Sequence, residues 1–243
     1  MNKILSTVCA AFGVFCVLLF AAYLFSDKNL TVETAEAVPL ERYENPNSYA
    51  ALGNIIFKTD STGAIAKSIL TLDFKHNIGD VKIRGEKAYF SDLNTKQIYC
   101  YDLHGKKIWK SAGKDGFLVH HKFFPFDISP SGELWVVNAG KGGFERLDLN
   151  TGKFLESWSP LEDFAFNGIG DPLQIVAFNG GFVTMEVASN SVRIFDMEGR
   201  ARVIAVNLAP QHDFYKMRAQ QGDIVYFDGE KNMRLKGVLP NKR

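Results

Sequence analysis

The stretch RLDLNTGKFLESW at Arg146–Trp158 decides the fold, because the chain contains it four times in altered form. An apolar or aromatic run ends in an Asp-containing turn closed by Gly: KTDSTG at Lys58–Gly63, CYDLHG at Cys100–Gly105, RLDLNTG at Arg146–Gly152 and IFDMEG at Ile194–Gly199. The anchoring residues Asp60, Asp102, Asp148 and Asp196 are 42, 46 and 48 positions apart. Each turn leads into a second run: AIAKSIL, KKIWKSA, KFLESW and RARVIAV. Asp folds its carboxylate onto the amides of a turn, and Gly takes the backbone where side chains are disfavoured, so each unit reads as a β-hairpin.

Another strand pair precedes three of these hairpins: DVKIRGEKAYFSD, FDISPSGELWVVN and LQIVAFNGGFVTME. A fourth copy, KMRAQQGDIVYFD, falls at Lys216–Asp228 near the end of the chain. One repeat is therefore four short strands, and an array of such sheets is a β-propeller. Ser131–Asn138 followed by Leu147–Gly152 resembles the NHL-type repeat of six-bladed propellers, in which a strand of the form G-x-(I/L)-(W/Y)-V-x-(D/N) precedes a D-x-x-G turn. The first copy supplies one hairpin, Asn54–Leu70, and the last copy lacks one. The expectation is an all-β, small propeller of about four blades over residues 49–243, closed by N-terminal strands that complete the last blade and remove its edge, with an open or five-bladed ring as the alternative.

Upstream, Ile4–Phe25 is a run of 22 residues without a charge, long enough to cross a hydrocarbon core of about 30 Å as a helix. Lys3 precedes it and Asp27, Glu33, Glu36 and Glu41 follow, so the positive-inside rule places the amino terminus in the cytoplasm. The expectation is a transmembrane anchor over 1–27 in a bacterial inner membrane, a loose linker over 28–48, and an extracytoplasmic, periplasmic propeller. A cleaved signal peptide is the competing reading, with an A-x-A triplet at Ala35–Ala37, but the apolar run exceeds the usual signal core.

Composition narrows the function classes. The 243 residues carry 28 Lys and Arg against 27 Asp and Glu, a net charge of +1, which excludes a nucleic-acid binder acting through a basic field. Three Cys exclude a disulfide-dense scaffold. Nucleophile-elbow, zincin and phosphate-loop motifs are all absent from the sequence.

Two sets of polar residues recur at equivalent positions. The second strands end at Asp92, Asn138, Glu186 and Asp228, whose oxygens could ring a divalent cation, the one cofactor the pattern admits. Asp or Asn there also commonly hydrogen-bonds a neighbouring turn. His76 and His212 each lie 16 residues before such an acid, and His121 sits in another loop between blades; together they could hold a transition metal, or cap the core. The same loops, DGFLVHHKFFPF and SPLEDFAFNGIGDP, are long and aromatic. Phe117, Leu118, Phe123, Phe124, Leu161, Phe164 and Phe166 therefore read either as a partner-binding surface or as packing between blades.

Two functions follow as expectations. The first is a non-catalytic docking or accessory subunit, anchored by residues 4–25 and bound to an integral membrane or periplasmic protein complex. The second draws on a resemblance to metal-dependent propeller hydrolases of the gluconolactonase kind, and would make Asp92, Asn138, Glu186 and Asp228 ligands of a water-activating cation.

Overall fold

Three of the four Asp…Gly turns close hairpins in a computed structural model, which describes residues 30–33, 37–39, 49–59, 65–73, 75–119, 124–160, 174–186, 191–205, 217–220, 222–227 and 232–239. In the second repeat the Asp102 carboxylate accepts the amides of His104 (3.0 Å) and Lys106 (2.9 Å). Asp148 accepts those of Asn150 (3.1 Å) and Thr151 (2.7 Å), and Asp196 that of Arg200 (2.9 Å). The fourth turn, around Asp60, lies outside the described residues.

The strands form five sheets. In chain order, the first blade is β3 (Tyr49–Leu52), β4 (Ile55–Thr59) and β5 (Ile65–Thr71), and the second is β6 (Ile78–Arg84), β7 (Lys87–Asp92), β8 (Gln97–Asp102) and β9 (Lys107–Ser111). The third is β10 (Phe126–Ile128), β11 (Leu134–Asn138), β12 (Gly143–Leu147) and β13 (Phe154–Trp158). The fourth is β14 (Gln174–Phe178), β15 (Gly181–Glu186), β16 (Ser191–Asp196) and β17 (Ala201–Ala205), with β1 (Leu30–Glu33) added in parallel outside β17. The fifth is β18 (Arg218–Gln220), β19 (Asp223–Phe227) and β20 (Asn232–Leu235), closed by β2 (Ala37–Pro39) antiparallel to β20.

The chain is thus a five-bladed propeller, which corrects the expectation of about four. Closure by an N-terminal strand holds, but β2 supplies it. Tyr49–Leu52 pairs with β4 and makes the first hairpin a blade of its own instead of the missing half of the last. Of the stretch 28–48, expected to be a loose linker, residues 30–33 and 37–39 are strands. Among the described residues no helix is long and apolar enough to cross a membrane; Ile4–Phe25 lies outside them.

Second strands such as KAYFSD and LWVVN are apolar with little alternation because a neighbouring blade covers each face, and β11 is buried at every residue. Four apolar clusters fill the four gaps between consecutive blades, around Phe90, Phe126, Phe182 and Ile224. At the outer edge of two of these clusters runs a repeated latch. The indole N–H of Trp109, on the outer strand of blade two, donates to the carbonyl of Leu149 in the third-blade turn (3.3 Å), and Trp158 donates to Met197 of the fourth (2.9 Å). On the inner side the Asp80 carboxylate accepts the amide of Phe126 (3.4 Å) and Asp127 that of Ala177 (2.9 Å), while the Gln174 side chain accepts the amide of Met217. Each of these bonds ties one blade to the next.

Candidate functional site

Adjacent strands alternate in direction, so each blade has two ends. The turns after Asp102, Asp148 and Asp196 share one face; the ends of the second strands and the loops between blades share the other. The candidate residues among those described belong to this second, loop face.

At its first described station the sequence spacing is fulfilled: His76 Nδ1 lies 2.8 Å from Asp92 Oδ2. Asp92 is fully buried, and its Oδ1 accepts the amides of Asn94 (2.9 Å) and Asn77 (3.2 Å), while Thr95 donates to Oδ2 (3.2 Å). Burial raises the Asp92 carboxyl, but the bonds from His76, Asn94, Asn77 and Thr95 outweigh it and hold it below the usual carboxylate range. The imidazole is boxed edge-on by Phe90, Tyr99 and Tyr101, at centroid distances of 5.2, 4.7 and 6.0 Å. Its Nε2 faces the Tyr101 hydroxyl at 3.3 Å. The pair fastens the loop between blades one and two to the end of β7.

The next station does the same work with different residues. Asn138 Oδ1 accepts the amide of Leu118 (2.9 Å), and its Nδ2 donates to the Gly116 carbonyl (3.2 Å) and to Glu145 Oε1 (2.9 Å). Glu145, buried in the middle of β12, takes the Lys114 amide on Oε2 (3.0 Å) and Lys141 Nζ on Oε1 (3.3 Å). A carboxylate inside a blade is tolerated here because three donors, Asn138 Nδ2, the Lys114 amide and Lys141 Nζ, converge on it. The segment Lys114–Leu118 is thereby held at three points.

The candidate ligands described at this mouth are engaged within the protein. The oxygens of Asp92 and the carbonyl of Asn138 are occupied by amides, and among the described residues no three His, Cys, Asp or Glu are grouped to hold a metal. Glu186 ends β15 opposite Ser191; its side chain, together with Asp228, His121 and His212, lies outside the described residues.

The aromatic loop divides in two. Phe117 and Phe124 are buried between blades two and three, with ring centroids 5.3 Å apart, so for these two the packing role applies. Leu118 between them is 58% exposed although its amide is pinned, which presents an apolar side chain on a fixed backbone. Phe123, Leu161, Phe164 and Phe166 lie outside the described residues.

Two other groups lie inside the blades. Burial pushes the Cys100 thiol up to about 11, so it is not a thiolate nucleophile at neutral pH. Toward the centre of the ring Lys82 sits 3.8 Å from Asp80 and 3.5 Å from Asp127, the two carboxylates that clasp successive inner strands. Glu145, Asp80, Asp127 and the two Trp latches carry no motif of their own, although the 49-residue interval between Trp109 and Trp158 lies close to the repeat.

No family model and no curated protein matches the chain. Among solved structures, a streptogramin B lyase aligns with a TM-score of 0.52 at 12% identity, covering 84% of this chain and 70% of its own. A virginiamycin B lyase from Staphylococcus aureus gives 0.46 at 10% identity, covering 85% and 77%. BamB from Moraxella catarrhalis gives 0.40 at 16%, covering 81% and 61%. The first of these similarities supports the propeller fold and nothing finer; the other two fall below a TM-score of one half and add nothing to it.

Proposed function

We propose that this chain is an NHL-type propeller held at the outer face of a bacterial inner membrane by residues 4–25, acting as a non-catalytic docking subunit of a membrane protein complex. The observation that carries this reading is the use of the loop face. Asp92, Asn138 and Glu145, the polar residues best placed for chemistry, are spent on backbone amides, and the loop that Asn138 and Glu145 fix presents Leu118 to solvent. An apolar side chain on a pinned loop loses little conformational entropy on binding, which favours docking. A retained anchor is supported from another side: cleavage after Ala37 would delete β1 and the first residue of β2, strands that cover the fourth blade and close the fifth. The hydrolase reading would require Asp92 and Asn138 to release those amides into a buried site, leaving them unsatisfied.

The test is mild detergent extraction of native membranes, capture through a carboxy-terminal tag, and mass spectrometry of the eluate. A stoichiometric partner that is lost in Leu118→Asp is the expected result. Recovery of the chain alone, at its own mass, overturns the proposal.

A further inference from the structure

The two faces of the propeller differ in their relation to the start of the chain. β1 runs parallel to β17, and Leu30 lies opposite Ala201, beside the Asp196–Arg200 turn. The chain therefore enters the propeller on the hairpin-turn face, opposite the loops that hold Asp92 and Asn138. Only four residues, 26–29, separate Leu30 from Phe25, the last apolar residue of the 22-residue run. Five Cα–Cα steps span at most about 18 Å, whatever path they take. The headgroup layer alone occupies about 5–8 Å of that.

The side chains on that end match a lipid surface. Six large apolar residues are exposed among the described residues, and four of them stand at this end of the blades: Ile65, Ile108, Leu155 and Met197, on blades one to four in turn. Lys106, Lys107, Lys153 and Lys236 are exposed around them. Among the described residues Glu86 and Glu198 are exposed, the latter 3.1 Å from Arg200, while Asp102, Asp148 and Asp196 are half-buried on turn amides and Glu133 and Glu156 pair with Arg146. Aliphatic side chains among exposed lysines, with most of the acids of this end turned onto amides or arginines, suit the boundary of an anionic phospholipid bilayer.

We propose that the propeller lies with its hairpin-turn face on the anionic phospholipid surface of its own membrane, so that the loop face bearing Leu118 points away from the bilayer. This rests on the reading of residues 4–25 as a retained anchor. It refines the docking proposal, since the partner then meets the loop face with its extramembrane portion and not within the bilayer.

The experiment uses the full chain in vesicles of phosphatidylethanolamine and phosphatidylglycerol, in a Cys9→Ser, Cys16→Ser background with the buried Cys100 retained. Single labels at His104→Cys, Asn150→Cys, Glu198→Cys and Leu118→Cys report energy transfer to an acceptor on the headgroups. Strands of about five residues rise about 17 Å, so the three turn labels should transfer several-fold more strongly than the Leu118 label, and alike among themselves. Replacing Lys106, Lys107, Lys153 and Lys236 by Gln should weaken transfer at His104, the label on the blade farther from the point of entry. Stronger transfer from Leu118 overturns the orientation, and transfer from Glu198 without His104 shows an edge-on stance and overturns it equally. No change in the Gln variant overturns the role of the lysines. Release of the chain from vesicles by alkaline carbonate shows that the anchor reading itself has failed and removes this proposal with it.

Discussion

Asn138→Asp isolates the physics of the loop clamp. The substitution changes almost no volume but replaces an amide that donates to Glu145 at 2.9 Å with a second carboxylate at that distance, inside the protein. With both ionised, the repulsion is about 6 kcal/mol at an effective dielectric of about 20. The pair has a cheaper course, which is to bind one proton. At pH 7, holding a proton on a carboxyl of usual pKa about 4 costs three units of about 1.4 kcal/mol, so the penalty is capped near 4 kcal/mol. Lys141 Nζ, 3.3 Å from Glu145, faces a single negative charge in both proteins once the pair holds a proton, so the penalty stays at about 4 kcal/mol. The folded variant then carries a proton that its unfolded chain lacks, so its stability relative to wild type must rise as pH falls. Urea unfolding of both proteins in detergent at pH 7, 6 and 5 should show the difference shrinking by about 1.4 kcal/mol per unit. Hydrogen exchange at the Leu118 amide, whose acceptor is the Asn138 side chain, should accelerate in parallel. A difference that is flat with pH, or below about 1 kcal/mol at pH 7, would refute the argument that a buried Asn138–Glu145 contact pins this loop.

Trp158→Phe should cost about 0.5–1.5 kcal/mol for the lost bond to Met197, and Trp158→Ala about 3–5 kcal/mol for the emptied gap; equal unfolding midpoints for the two variants would contradict the latch. Gly152→Ala places a Cβ 2.5 Å from the Trp109 ring at φ +69°, whereas at Gly53, φ +60°, an added Cβ meets nothing within 4 Å. The former should therefore exceed the backbone penalty of about 1–2 kcal/mol and the latter match it, as read from paired urea titrations. Because Asp92 is held below the usual carboxylate range, its contribution to stability is complete above the unfolded value near 4 and is lost as pH falls through its lower folded pKa. Asp92→Asn should accordingly flatten the acid limb of the stability curve, and an unchanged limb would assign acid unfolding elsewhere. Removing residues 1–39 opens the edge of β20, which β2 covers. Gains and ordering costs for seven strand residues nearly cancel, so light scattering should show association while the thermal midpoint moves little.

The repeat was legible because Asp102, Asp148 and Asp196 do a chemical job that leaves a sequence trace: each must be short, acidic and followed by a Gly. The blade number was not. YAAL at Tyr49–Leu52 has no alternation, and AVP at Ala37–Pro39 contains a residue that cannot donate to a ladder, so their strand state comes from pairing partners remote in sequence. The pairing of His76 with Asp92 could be suspected from its 16-residue spacing, which His212 and Asp228 share. What the pairing does could not be, because hydrogen bonding to Asn77 and Asn94 and coordination of an ion call for the same residue types. Glu145 gives no signal: in GFERL it reads as the solvent side of an alternating strand, and only the packing of Lys114–Leu118 against β12 encloses it.

The links between blades argue for a rigid platform over an adaptable site. Between blades two and three they occur at three radii: the Asp80 carboxylate on the Phe126 amide near the axis, the cluster around Phe126 and Leu134 at mid-radius, and Trp109 on Leu149 at the rim. Blades three and four repeat the scheme with Asp127, Phe182 and Trp158. A hinge between such blades would have to break a charge-assisted hydrogen bond, open a close-packed apolar gap and release an indole together. A ligand can shift a protein only between states that exist, so binding at the loop face is expected to select a surface already formed. The Asn138–Glu145 clamp extends that rigidity from the blades to the loop itself, which is where a docking subunit needs it and where an enzyme closing over its substrate would need mobility.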